Sequence, residues 1–302
     1  MGRRATRALV TRSRSPGVAI RIDGRVVAKR VRGEVAATVA TLKANGVHPH
    51  LVVVLVGDDP ASGIYVRTKH RMATKVGIRS TVERFPVTVS EAALLALIGE
   101  LNADPDVHGI LVQLPLPEHI DPKIVVDNID PDKDVDGLHP VNVGRLQVGR
   151  KPLLACTPQG VMRLLREYNI PIRGRHAVVL GRSAIVGRPM SWILLRAHAT
   201  VTTCHRHTHN TAALARQADI LVSAVGKPGL VTPDWVKPGA VVIDVGINRV
   251  DGKIRGDVDF DTVEPIASHI TPVPGGVGPM TVAMLLKNTA TAATRQHAAR
   301  LL

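Results

Sequence analysis

The sequence predicts an α/β protein built as two domains around a cleft. Its 302 residues suffice for roughly two domains of ordinary size. From residue 20 onward, short runs of Val, Ile and Leu alternate with helix-like segments, the pattern of parallel strands joined by crossover helices. A stretch dense in acids, Pro and Gly, "DPDKDVDGLHP" (130–140), marks a boundary before the helix that starts near Thr157.

Composition narrows the class. Apolar residues make up 45% of the chain, yet no uninterrupted apolar run approaches the ~20 residues of a membrane helix, so no membrane partner is expected. Cys156 and Cys204 set no disulfide framework, and no charged-then-apolar leader opens the chain; a cytoplasmic location is the expectation. Lys and Arg number 39 against 25 Asp and Glu, a net charge of +14 that suits an anionic partner. Part of that excess is five arginines within residues 1–18, a segment without acids that reads as a disordered arm outside the fold, with an organelle leader as the alternative. Aromatic residues at 2% leave too few stacking platforms for a reader of single strands, which argues against nucleic acid.

The strands are expected at "LVVVLVG" (51–57), "GILVQL" (109–114), "HAVVLG" (176–181), "ATVTTC" (199–204), "DILVSAVG" (219–226) and "AVVIDVGI" (240–247). Continuous apolar runs of this kind belong to strands covered on both faces. Between the first strand and Gly77 lies a helix: Asp59 serves as N-cap, Pro60 occupies the first helical position, and Gly77 follows as a stop. A second boundary falls at "TPVPGGVGPM" (271–280), where three prolines and three glycines force a turn before a last helix that could pack on either domain. The domains are therefore expected at 19–140 and 141–278, with the helix at 279–302.

Two stretches carry chemistry. "VVLGRSAIVGRPM" (178–190) joins a buried strand to a helix through a glycine turn, the frame in which backbone N–H groups at a helix start receive phosphate. Its glycines are looser than Gly-x-Gly-x-x-Gly: Gly181 permits the bend, Arg182 adds positive charge and Ser183 adds a hydroxyl. The next strand ends in "HRHTHN", offering Arg206 and three histidines but no carboxylate, which favours the 2′-phosphate of NADP over the ribose of NAD. Strand alternation would place His205, His207 and His209 on one face and Cys204 on the other, so no metal site is expected.

In the helix after the first strand, Tyr65, Lys69, Met72 and Val76 fall on one stripe at spacings of four, three and four. A lysine among apolar neighbours loses hydration of its charged form and exchanges protons nearer neutral pH, which suits a general acid or base; the alternative is a stem on apolar surface with its ammonium in water. Gln113 lies at the end of a buried strand, where open α/β sheets place ligands, and a buried amide needs a partner. Asp136 reads from spacing alone as a solvated turn carboxylate.

With these residues in view, the sequence resembles the bifunctional methylenetetrahydrofolate dehydrogenase/methenyltetrahydrofolate cyclohydrolases. The resemblance runs from about Ala19 to the end through "DPASGIYVRTK", "GILVQLPLP", "DKDVDGLHP", "GRSAIVGRPM", "VIDVGIN" and "TPVPGGVGPMTVAML". It implies an N-terminal α/β catalytic domain and a C-terminal Rossmann-type NADP-binding domain facing each other across a cleft, with the final helix returning to the first. It also implies that Lys69 is the catalytic lysine, Tyr65 stacks on the folate, Gln113 assists the lysine and Asp136 holds the pterin. Val112, Leu114 and Pro274, Gly275, Gly276, Val277 and Gly278 would line the folate side. Gly181, Arg182, Ser183 and Ile247 would contact NADP, joined by Arg206 from the charge argument above. A homodimer is the family expectation, and the positive balance suits a polyglutamylated folate. An enzyme with one activity only, or a basic nucleic-acid-binding protein, are the competing readings.

Overall fold

In a computed structural model the structure describes residues 19–301, so the proposed arm lies outside the described residues. The chain runs β1 (Ile20–Arg21), α1 (Gly24–Ala44), β2 (His50–Val56), α2 (Pro60–Lys75), β3 (Arg79–Phe85), α3 (Glu91–Ala103), β4 (Gly109–Val112), α4 (Pro122–Asp127) and α5 (Pro140–Gln147). It continues with α6 (Cys156–Glu167), β5 (His176–Leu180), α7 (Gly187–Arg196), β6 (Thr200–Cys204), α8 (Thr211–Ala215), β7 (Ile220–Ser223) and β8 (Val241–Asp244). Last come β9 (Asn248–Val250), β10 (Lys253–Arg255), α9 (Phe260–Val263), β11 (His269–Ile270) and α10 (Gly278–Arg300).

Two parallel sheets result. The first has the order β3-β2-β4, with Val53 opposite Val82 on one side and Leu111 on the other. All seven residues of β2 are buried, as a strand covered by helices on both faces requires. The second sheet has the order β1-β11-β8-β7-β5-β6. Its edge strand β6 departs from the expected two-sided burial, since Thr200 and Thr203 are exposed where the apolar run gives way to threonine. β1, within the segment 19–140 assigned to the first domain, pairs instead with β11, so the chain enters the second sheet before it builds the first. Only two residues make that pairing, too few for a periodic signal.

Helix signals act as their chemistry dictates. The Asp23 carboxylate accepts from the N–H groups of Arg25 and Val26, and that of Asp59 accepts from Ser62 N with Pro60 in the first turn. Val27, Val31, Val35 and Val39 form a buried stripe on α1, and α1 packs along α10, which also packs on α6 and touches α2, β2 and β4. One continuous core cluster therefore joins Val31, Leu51, Leu111, Leu164, Val179, Ile243 and Met284, drawn from both sheets and the helices between them. Each such side chain contributes about 1.5–3 kcal/mol when fully buried, so the two halves that flank the cleft are held by shared packing.

Candidate active site

In the first sheet β3 and β4 lie on opposite sides of β2, so the chain changes direction there, and a crevice opens beyond the carboxyl ends of β2 and β4. Lys69 on α2 reaches into it. Its Nζ donates to Gln113 Oε1 at 2.9 Å, while Gln113 Nε2 donates to the Leu114 carbonyl at 2.6 Å, fixing which end of the amide faces the lysine. The ammonium thus turns inward to a protein acceptor and does not snorkel to water. Tyr65, one turn earlier, is 45% exposed and free to meet a flat ligand.

Asp136 comes from the loop between α4 and α5, whose other charged residues hold the backbone in place. Asp134 is buried and accepts from Gly137 N, His139 N and Asn142 Nδ2, and Lys133 Nζ donates to the carbonyls of Leu101, Asn102 and Asp104 at the end of α3. Gly137 sits at φ 73°, and a Cβ there would lie 2.2 Å from the Leu154 carbonyl carbon, so only glycine allows this loop to close on the segment leading into α6. The Asp136 carboxyl then faces Lys69 and Cys156 and is not the solvated turn acid that spacing suggested.

Burial lowers the proton affinity of Lys69, and the Asp136 carboxylate opposes that effect. Burial likewise pushes Asp136 up, with Lys69 pulling it back. The Cys156 thiol is pushed well above the ordinary thiol range by burial and by Asp136; it stays protonated and donates to the Val135 carbonyl at 3.3 Å. Sequence reasoning did not single out Cys156, which is one of several apolar-looking residues in its segment.

The cavity around these groups is about 200 Å³. Lys69, Val112, Gln113, Leu114, Asp136 and Cys156 line it, together with Ile185 and Val186 from the glycine loop of the other domain.

That loop borders a larger cavity of about 740 Å³ beyond the carboxyl ends of β5, β6 and β7, at the point where β6 and β7 flank β5. Gly181 adopts φ 106°, and a Cβ on it would stand 2.2 Å from the Ala224 carbonyl oxygen; a Cβ on Gly187 would stand 2.2 Å from the Gly181 oxygen. The strand-to-helix turn therefore needs both glycines. Arg182, Ser183, Arg206 and Lys227 line the cavity, and none of its lining residues is acidic, which fits a phosphate-bearing dinucleotide. Ser183 does more than expected: its Oγ accepts from Val186 N at 3.2 Å and Gly187 N at 3.4 Å, capping the start of α7, and keeps its own proton to donate. The strand ends at Cys204, so His205, His207 and His209 lie in a turn and the alternation expected of them does not apply. Among the described residues no grouping of His, Cys, Asp and Glu could hold a metal.

Pro274 to Gly278 are not among the residues that line the smaller cavity, although Thr281, just after them, is. Gly24 N donates to the Gly275 carbonyl at 3.0 Å, and a Cβ on Gly24 would fall 1.7 Å from the Gly276 oxygen, so this loop is pressed against the start of α1. Ile247, 51% exposed, approaches Gly278. Asp257, also missed from sequence, holds the cavity's far wall: its carboxylate accepts from Val225 N, Gly226 N, Lys227 N, Ser223 Oγ and Asn248 Nδ2.

A basic cavity behind a glycine turn in one domain, beside a lysine, an amide and a carboxylate in the other, defines a two-domain dehydrogenase with a separate substrate side. The model of the tetrahydrofolate dehydrogenase/cyclohydrolase catalytic domain matches residues 22–136, and that of the NAD(P)-binding domain of the same family matches residues 155–297. The bifunctional protein FolD of Geobacillus thermodenitrificans is 58% identical over 280 residues, covering 92% of this chain and 98% of its own. The crystal structure of bifunctional FolD from Campylobacter jejuni superposes with a TM-score of 0.90 at 48% identity, covering 91% of this chain and 98% of that one. A Trypanosoma brucei methylenetetrahydrofolate dehydrogenase-cyclohydrolase, solved with NADP cofactor and inhibitor, gives 0.88 at 44% identity, covering 92% and 98%. The chain belongs to the tetrahydrofolate dehydrogenase/cyclohydrolase family.

Proposed function

We propose that one cleft performs two successive steps on a single folate: NADP-dependent oxidation of 5,10-methylenetetrahydrofolate to the methenyl form, then hydrolysis to 10-formyltetrahydrofolate. The observation that carries this reading is the Lys69–Gln113 hydrogen bond beside Asp136, in a cavity that Ile185 and Val186 of the dinucleotide domain's loop also line. NADP, when bound, supplies the hydride acceptor of the first step. Gly181, Arg182, Ser183 and Ile247 are the residues assigned to hold it, with Arg206 on its 2′-phosphate.

No protein acid is needed when hydride leaves the bridging carbon, so placement of the folate governs that step. Tyr65 stacks on the ring system and Asp136 accepts from the pterin. Hydrolysis differs. Water oxygen bonds to the methenyl carbon, the bond from that carbon to N5 breaks, and two protons leave the oxygen, one ending on N5 and one released. Lys69, whose buried amine holds its proton less tightly than an exposed lysine, is placed to take and return a proton in this sequence, and Gln113 keeps its Nζ aimed at the cavity.

The test is product formation from 5,10-methylenetetrahydrofolate by the wild type. NADPH and 10-formyltetrahydrofolate are both expected; NADPH alone would favour the reading with a single activity, and neither product with NADP or NAD would overturn both. Arg206→Ser is expected to raise the KM for NADP roughly 10–100-fold, the worth of a hydrogen bond to a charged group, with little effect on NAD. Equal changes for the two cofactors would remove Arg206 from the 2′-phosphate.

The chain is further proposed to be a cytoplasmic homodimer acting on polyglutamylated as well as simple folates. Trp192 and Leu195 on α7 are exposed, as are Val141 and Val148 at the ends of α5, and α7 packs both on α5 and on the edge strand β6. Such an apolar face beside an unpaired strand edge suits a second copy of the chain. Leu195→Asp is expected to give a monomer by sedimentation velocity where the wild type is a dimer; an unchanged mass would exclude this face.

A further inference from the structure

Asn288 lies on α10, more than 130 residues along the chain from the segments it holds, and is 3% exposed. Its Nδ2 donates to the Val135 carbonyl at 2.9 Å and to the Leu154 carbonyl at 2.8 Å, with Cys156 Sγ at 3.6 Å, while its Oδ1 accepts from Gln159 Nε2 at 3.1 Å. Val135 immediately precedes Asp136, and Leu154 stands two residues before Cys156. The amide therefore ties together the two backbone segments that deliver the carboxyl and the thiol to Lys69. The same segments are also joined by Cys156 N to the Asp136 carbonyl at 3.3 Å, by the thiol to Val135, and by the thiol against the Asp136 carboxyl itself. Nothing in the chemistry of the two steps requires an asparagine on α10, and its place there answers to geometry alone.

We propose that Asn288 is a positioning residue for the hydrolytic step, setting the distance of the Asp136 carboxyl from Lys69 by fixing the Val135 and Leu154 carbonyls. The proposal rests on the reading of Lys69 given above. A buried amide with both donors and its acceptor used has one orientation, so the clamp is stiff. Lys69 faces Asp136 from the loop before α5 and the Cys156 thiol from the start of α6, with Asp134 behind Asp136. Asp136 is the partner that favours the ammonium form of Lys69, so letting the carboxyl drift lets the lysine deprotonate at lower pH.

Asn288→Leu keeps the volume and removes every hydrogen bond. Its hydrolytic kcat is expected to fall roughly tenfold, the consequence of about 1.4 kcal/mol lost at the transition state. The limb of the hydrolytic pH–rate profile governed by Lys69 should move to lower pH, whereas any dehydrogenase loss, which comes through the hold of Asp136 on the pterin, should appear without such a shift. A folded Asn288→Leu protein with both activities reduced together and an unmoved pH profile would overturn the proposal, since that is what general loosening of the fold gives. If Asn288→Leu fails to fold, Asn288→Asp, which keeps the shape and the bond from Gln159 but loses both donors, must still displace the hydrolytic limb governed by Lys69; an unmoved limb overturns the proposal. Lys69→Met assayed alongside separates the failures. A Lys69→Met enzyme that still hydrolyses overturns the assignment of Lys69 and this proposal with it, whereas an unshifted Asn288→Leu beside a hydrolytically dead Lys69→Met overturns this proposal alone.

Discussion

Lys69→Met is expected to lose the hydrolysis of the methenyl folate by roughly 10²–10⁴-fold, the usual contribution of a placed proton-transfer group, while still reducing NADP. Methionine matches the unbranched stem of lysine, so the stripe on α2 stays packed. What disappears is the amine, together with the bond it donates to Gln113 at 2.9 Å. Oxidation of the methylene folate needs correct placement and no protein proton, so it should survive with a modest loss from the unpaired Gln113 oxygen. The two activities are read separately by following NADPH formation and the disappearance of added methenyl folate. Hydrolysis within about twofold of wild type would remove Lys69 from the chemistry.

Asp257→Ala is expected to destabilise the second domain strongly. The carboxylate is fully buried and accepts five hydrogen bonds, at 2.7 Å from Val225 N, 3.0 Å from Lys227 N, 3.3 Å from Gly226 N, 3.2 Å from Ser223 Oγ and 3.0 Å from Asn248 Nδ2. Each donor left unsatisfied costs about 1–3 kcal/mol; partial relaxation and water entry leave a net loss of at least about 3 kcal/mol. Because Val225 and Lys227 line the dinucleotide cavity, weaker NADP binding should accompany the loss. Urea unfolding and an NADP titration check both parts, and a stability loss under about 1 kcal/mol would show that this carboxylate does not organise the wall.

Much of this arrangement is legible in the sequence where one element decides it alone. β2 announces itself by the uninterrupted apolar run from Leu51 to Val56, and α2 by Asp59, Pro60 and a stripe that places Lys69 among apolar neighbours. Gln113 is visible because a polar amide at the end of a buried strand demands a partner. Elements with weak local signals are hidden: β3, "RSTVERF", is largely half-exposed and polar at an edge, and β1 and β11 have two residues each. Asp136 looks like its neighbours Asp132 and Asp134 until the fold brings α2 and α6 to it, which explains why only the family resemblance assigned it a role. Cys156, Asp257 and Asn288 act through partners far along the chain or in loops without periodicity, and no local pattern marks them. Ser183 shows the reverse case: its position is legible, but its capping of α7 depends on a turn geometry that residue type does not specify.

A buried lysine with a weakened hold on its proton serves the hydrolytic step, and titrating that amine tests its role most directly. With lysine side chains isotopically labelled and the Lys69 resonance assigned by its absence in Lys69→Met, the Nζ should deprotonate below the ordinary lysine value of about 10.4, because burial outweighs the attraction of Asp136. A Lys69 that titrates at or above that value would contradict the account, since an ammonium held that firmly could not give up its proton near neutral pH.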